Sequence, residues 1–244
     1  MKTARIPFLV SFLALSACAH AEAQETQKSD TSAQKGEPRD VPDFDKVAVS
    51  NGIQAEVKVG PKSVRLEGPS DLLSRVRLKV EHGTLVTEVE RKGIFGGFSG
   101  GKVHLYVSNP RIEGVSASGG SHVDAEATDT DEFSAEASGG AVLSVRGVDA
   151  RKVEAEASGG SRVKLSGRAK EMDAEASGGA EVLALDVKGM KTLEAEASGG
   201  SRVEADVSQR VSGDASGGST IRLMSRPEQS DVDTSGGSRV TYKD

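Results

Sequence analysis

The sequence predicts an all-β chain wound as a parallel β-helix of about 19–20 residues per coil, with a less regular N-terminal cap. Three observations predict it. The tripeptide Ser-Gly-Gly begins at Ser118, Ser138, Ser158, Ser177, Ser198, Ser216 and Ser235, with spacings of 20, 20, 19, 21, 18 and 19. Between these marks, apolar and polar residues alternate with a period of two, as in strands with one face buried. The chain has 29 glycines, no Trp and only 3% aromatic residues, which suits sharp corners around a thin aliphatic interior and excludes a thick aromatic core.

The elements follow in chain order. Residues 1–17 read as an export signal: Lys2 and Arg5 precede an apolar run over residues 6–15, too short for the roughly 20 residues of a membrane-spanning helix. Its removal takes the net charge from −6 to −8. Leu15-Ser16-Ala17-Cys18 matches a bacterial lipobox and resembles lipoprotein precursors whose cysteine becomes the lipidated N-terminus; Ala19-His20-Ala21 and Ala21-Glu22-Ala23 would fit ordinary secretion instead. Residues 18–40 are polar without apolar periodicity and are expected to form a disordered tether.

Residues 41–117 are expected to hold the N-terminal strands and first coils. Alternation marks strands at 44–49, 55–59, 63–66, 84–89 and 102–107, and a short helical turn near Asp71. Residues 118–244 carry the regular coils. In the unit at Ser158, Val153, Ala155, Ala157, Ser161, Val163 and Leu165 share one face, and Glu154, Glu156, Arg162 and Lys164 the other. A hairpin across each Gly-Gly would leave the near-constant unit length unexplained, whereas stacked coils place like positions in columns about 4.8 Å apart. The first glycine of each corner (Gly119, Gly139, Gly159, Gly178, Gly199, Gly217 and Gly236) is expected to turn the chain with positive φ. A further copy at Ser99 lies 19 residues before Ser118 and could be an eighth corner.

Together, FDKVAVSNGIQAEVKVG, VRLEG, DLLSRVRLKVEHGTLVTEVE and the SGG repeats resemble the bacterial GIN domain, described as an auto-transporter adhesin head. The resemblance runs from about Phe44 to the C-terminus. It implies a right-handed β-helix in an exported or lipid-anchored protein, and no catalytic residues. No C-terminal translocator barrel follows, so a complete autotransporter is not expected.

The stacking predicts a carboxylate column of Glu136, Glu156, Glu175, Glu196, Asp214 and Asp233, and a partial second one of Glu154, Asp173, Glu194 and Asp231. Neighbours one rung apart repel by about 1 kcal/mol in a water-like dielectric. Arg162, Arg202 and Arg239 could relieve this by pairing with Glu156, Glu196 and Asp233 across the corner; alternatively some carboxyls titrate high, or Ca²⁺ or a basic partner binds weakly along the strip. A solvated, solubilising face is the plainer reading.

Other chemistry is sparse. Seven equivalent serines argue for a turn residue rather than one activated nucleophile. His104 and His122 fall outside each other's alternation frame, so no metal-ligand geometry can be read, and a single cysteine excludes a cysteine-ligated zinc site. Gly93–Gly101 matches no phosphate loop and is expected to form a flexible loop that exposes Phe95 and Phe98 as a contact site, or equally folds them back onto the end of the solenoid. Acidic net charge disfavours nucleic acid. No cofactor is expected. The sequence therefore points to an exported, membrane-anchored, non-enzymatic solenoid that binds an envelope protein or glycan. A polysaccharide lyase or hydrolase would need a local break in the repeat; Asp129, Asp131 and Glu132 are the only acidic one, with no Arg or Lys beside them in the sequence. A self-associating scaffold, docking through an open last coil near Val240-Thr241-Tyr242, is the other alternative.

Overall fold

The structure is a computed structural model and describes residues 36–90 and 101–243. Cys18, Phe95, Phe98 and the Ser99 corner lie outside the described residues. The regular coils are built as expected. Each presents two strands that meet at a Ser-Gly-Gly corner, and every strand pairs in parallel with its counterparts in neighbouring coils.

On the first side, before the corner, the stacking order begins with β5 (Val76–Glu81), β6 (Thr84–Val89), β2 (Lys46–Val49), β8 (Gly114–Ala117) and β10 (Asp129–Ala137). It continues with the second halves of β11 (Val142–Ser158) and β12 (Arg162–Ser177), then β14 (Thr192–Ala197), β16 (Arg210–Ala215) and β18 (Gln229–Thr234). On the second side, after the corner, the order is β1 (Glu37–Pro38), β4 (Ser63–Glu67), β7 (His104–Asn109), β3 (Gln54–Val59) and β9 (His122–Glu126). The first halves of β11 and β12 follow, then β13 (Glu181–Lys188), β15 (Arg202–Ala205), β17 (Thr220–Leu223) and β19 (Arg239–Tyr242).

This order corrects the expected arrangement of the N-terminal region. The first coil in sequence, β2–β3, is not the first in space. It is sandwiched between β6 and β7 on one side and β8 and β9 on the other. After β3 the chain runs outward through β4, the short helix α1 (Ser70–Leu73) and the β5–β6 hairpin, which supply antiparallel pairing. It then crosses back over the first coil between β7 and β8. Asn109, almost fully buried at the start of this crossover, donates from Nδ2 to the carbonyls of Phe44 and Arg111, both at 2.7 Å. A buried amide satisfied on both sides fixes the crossing.

The corner column explains the glycines. Gly119 and Gly120 have φ of 59° and 76°, and the later corners repeat these values closely. The first glycine also lies under its neighbour: a Cβ on Gly217 would come within 3.0 Å of the Gly199 nitrogen, whereas one on Gly218 would meet nothing within 4 Å. Among the described residues a further corner, Ser50-Asn51-Gly52-Ile53, joins this column without the tripeptide. Asn51 and Gly52 have φ of 62° and 75°, and Asn51 stacks over Gly119. Asparagine is among the few non-glycine residues that take this conformation readily. The interior is thin and aliphatic, as composition predicted. Ala135, Ala155, Ala174 and Ala195 form one buried column, facing Leu143, Val163, Val182 and Val203 in others, and Phe133 is the one buried phenylalanine in the regular coils. No described helix is long and apolar enough to cross a membrane.

Candidate functional site

Strand pairing puts the predicted carboxylates in one file. Glu136, Glu156, Glu175, Glu196, Asp214 and Asp233 are successive register partners on the first side, and Ser116 heads the file above Glu136. Two residues further along each strand stand the first serines of the corners. Carboxylates and hydroxyls together line an open trough of about 510 Å³ running along the solenoid from Ser116 to Ser216. Backbone alternation causes this: residues two apart point the same way, and the intervening alanines (Ala137, Ala157, Ala176, Ala197) turn inward.

Of the forms of relief that the sequence allowed, arginine pairing across the corner does not occur. Arg162 does not reach Glu156; its Nε is 2.6 Å from Glu181 on the second side. Arg202 likewise lies 3.8 Å from Glu181 and 3.9 Å from Glu204. The corner turns the chain, so residues on either side of Gly-Gly face different directions although sequence alternation makes both outward. Among the described residues no basic side chain lies within ion-pair distance of any of the six; Glu136 accepts a hydrogen bond from Ser134 Oγ at 3.2 Å. Glu156 titrates above the usual glutamate range, first because it is partly withdrawn from water and then because Glu136 and Glu175 flank it.

The second column differs. Glu154 and Asp173 share Lys152, at 3.0 and 2.6 Å, and this ammonium holds the Glu154 carboxyl below its usual range. Lys152 in turn titrates above the usual lysine range through the hydrogen bonds to Asp173 and Glu154. At the far end Arg210 lies 3.8 Å from Asp231.

Three features escaped the sequence. His104 and His122 do share a column, because β3 lies between β7 and β9 and Gln54 is the register partner of both. Two strand spacings, roughly 9–10 Å, separate them, too far for both to ligate one ion at about 2 Å. They border a second recess of about 370 Å³ with Tyr106, Glu56, Asp124 and Arg146. The acidic break at Asp129, Asp131 and Glu132 does have a base: Arg151, from the next coil, bridges Asp131 and Glu171, each at 3.0 Å, and depresses the Asp131 carboxyl. Three buried serines that follow corners are staples. The hydroxyls of buried Ser161, Ser201 and Ser219 donate to the carbonyls of Ala137, Ala176 and Ala197 in the preceding coil at 2.8–2.9 Å. Among the described residues no group of three or more His, Cys, Asp or Glu side chains is placed to hold a metal ion.

The described residues thus form a parallel β-solenoid with a repeated file of carboxylates and hydroxyls along one side. The family model described as "Putative auto-transporter adhesin, head GIN domain" matches residues 43–227, and the chain belongs to this family. The match begins at β2's approach and stops before β18. Solved structures agree on the fold. A putative adhesin from Bacteroides fragilis superposes with a TM-score of 0.73 at 15% identity, covering 84% of this chain and 95% of its own. A putative lipid binding protein from Parabacteroides distasonis gives 0.61 at 13% identity, covering 85% and 96%. A putative adhesin from Parabacteroides merdae gives 0.59 at 14% identity, covering 84% and 94%. Comparison with curated proteins finds no match.

Proposed function

We propose that the protein is an exported, lipid-anchored module that binds an envelope partner by adhesion-like contact and performs no chemistry. Family membership supports the adhesion-like reading, and the neighbours named as adhesins or as a lipid binding protein are consistent with a non-catalytic role at the cell envelope. The signal over residues 1–17 and the lipobox ending at Cys18 support export and anchoring. The observation that carries the contact surface is the unpaired carboxylate file in its trough. Six like charges in line destabilise the fold unless something neutralises them, and neither lysine nor arginine of the chain does so among the described residues. A partner with spaced cationic groups, or Ca²⁺ held weakly between neighbouring carboxylates, would.

The test measures binding of the chain from residue 18, carrying Cys18→Ser, to a panel of envelope polymers with and without Ca²⁺, alongside release of soluble products. Retention by at least one polymer, weakened by an order of magnitude or more in the Glu156→Gln/Glu175→Gln/Glu196→Gln variant, is the expected result. Product release would overturn the non-enzymatic reading, and unchanged binding in the triple variant would remove the file from the contact. For anchoring, Cys18→Ser in cells should move the protein from the membrane fraction to the soluble one.

A further inference from the structure

The two ends of the solenoid are finished differently. At the N-terminal end the first coils are covered by the antiparallel strands β4 and β5 and by α1, which buries Leu72. At the other end the last described coil is bare. β18 pairs only with β16 and β19 only with β17, so one hydrogen-bonding edge of each strand is unused. The inward residues of this coil are correspondingly uncovered: Val232, Val240 and Tyr242 are half-buried, while Ile221 and Leu223, the partners of Val240 and Tyr242 one coil earlier, are fully buried. Such an edge is a template for another strand.

The charges on this coil are sorted by strand. β18 carries Asp231 and Asp233 outward, and β19 carries Arg239, followed by Lys243. We propose that the last coil is a self-docking edge, and that two copies of this chain join end to end through a two-fold axis at the Gly236 corner. That axis turns β19 of the second copy onto the edge of β18, and the corner makes the two strands antiparallel. Positions equidistant from Gly236 then meet. Asp233 falls opposite the second copy's Arg239, Val232 opposite its Val240, and Ser230 opposite its Tyr242. Inward residues meet inward residues, so the two aliphatic interiors become continuous, and acid meets base on both halves of the interface. An axis through Val232 or Thr241, in the middle of either strand, would instead oppose Asp231 to Asp233 or Arg239 to Lys243, which is unfavourable for directly facing strand positions. A closed two-fold contact also stops at two copies, where a head-to-tail one would continue as a filament. The inference is independent of what the carboxylate trough binds.

The chain from residue 18, with Cys18→Ser to remove acyl and disulfide contributions, is examined by sedimentation equilibrium across micromolar concentrations. The wild-type chain should show twice the monomer mass. Asp231→Lys/Asp233→Lys and Arg239→Asp/Lys243→Asp should each weaken the dimer at least tenfold, with circular dichroism confirming that both remain folded. Mixed in equal amounts, the two variants should recover the double mass, because each strand of one then faces its opposite in the other. A wild-type monomer at all concentrations, a dimer indifferent to the four substitutions, or a mixture that stays monomeric would each overturn the proposal.

Discussion

The two sides of the solenoid share one backbone and one period but distribute charge in opposite ways. After the corner, Arg162, Glu181 and Arg202 stack as base, acid, base, with Glu181 Oε2 2.6 Å from the Arg162 guanidinium. Before it, Glu136 to Asp233 stack as six acids with no base among them. Parallel in-register stacking copies each coil onto the next, so any repeated charge is set about 4.8 Å from itself. The second side escapes that consequence by alternating residues, and the second column on the first side escapes it through Lys152. The uniform file is therefore not imposed by the fold, which tolerates alternation one strand away.

The largest effects should come from the backbone that both sides share. A Cβ at Gly167, where φ is 137°, would lie 2.1 Å from the Val148 carbonyl oxygen of the adjoining coil, so Gly167→Ala should lose about 3 kcal/mol or more in urea unfolding. Gly160→Ala meets open space and bears only the positive-φ strain, so about 1 kcal/mol is expected. Exchanging charge should then separate the sides. Arg162→Glu makes the second-side file resemble the first and should cost about 1 kcal/mol, whereas Glu156→Lys places a base between Glu136 and Glu175 and should stabilise by a similar amount.

Acid titration gives a smaller, two-phase response. Glu156 titrates above its ordinary value of 4.5 in the fold, so the folded form takes up its proton first, and stability should rise as pH falls through the folded value towards 4.5. Glu154 and Asp131 titrate below their ordinary values of 4.5 and 3.8, so the stability that they contribute is present above those values and should drain away below them. In Glu156→Gln the early rise should vanish while the later fall remains. The smallest effect is that of salt: raising NaCl from 0.02 to 0.5 M, as a rough range across which the Debye length shrinks severalfold, should raise the melting temperature by about 1–2 °C, and less in Glu156→Gln/Glu175→Gln/Glu196→Gln.

The repeat was legible because its corner is constrained twice, by positive φ and by the close stacking of Gly119 and its successors, and because period-two alternation sorts residues into buried and exposed. The carboxylate file followed from counting. What could not be read came from the third dimension. The corner aims Arg162 away from Glu156 although both alternate as outward residues. The crossover inserts β3 between two later strands, so Gln54 meets His104 and His122 from 50 and 68 residues away in the chain. The Asn51-Gly52 corner did carry a signal, since Asn-Gly suits two successive positive φ values, but it lacks the tripeptide that marks the rest.

Neutralising one carboxylate on each side, six residues apart and by the same isosteric change, tests most directly whether the first-side acids repel while the second-side acid binds. In urea unfolding at pH 7 and low salt, Glu175→Gln should raise stability by a few tenths to about 1 kcal/mol, and Glu181→Gln should lower it by about 0.5–1 kcal/mol. Two losses of equal size would contradict the account, because they would mean that the carboxylates before the corner are held by favourable partners just as Glu181 is.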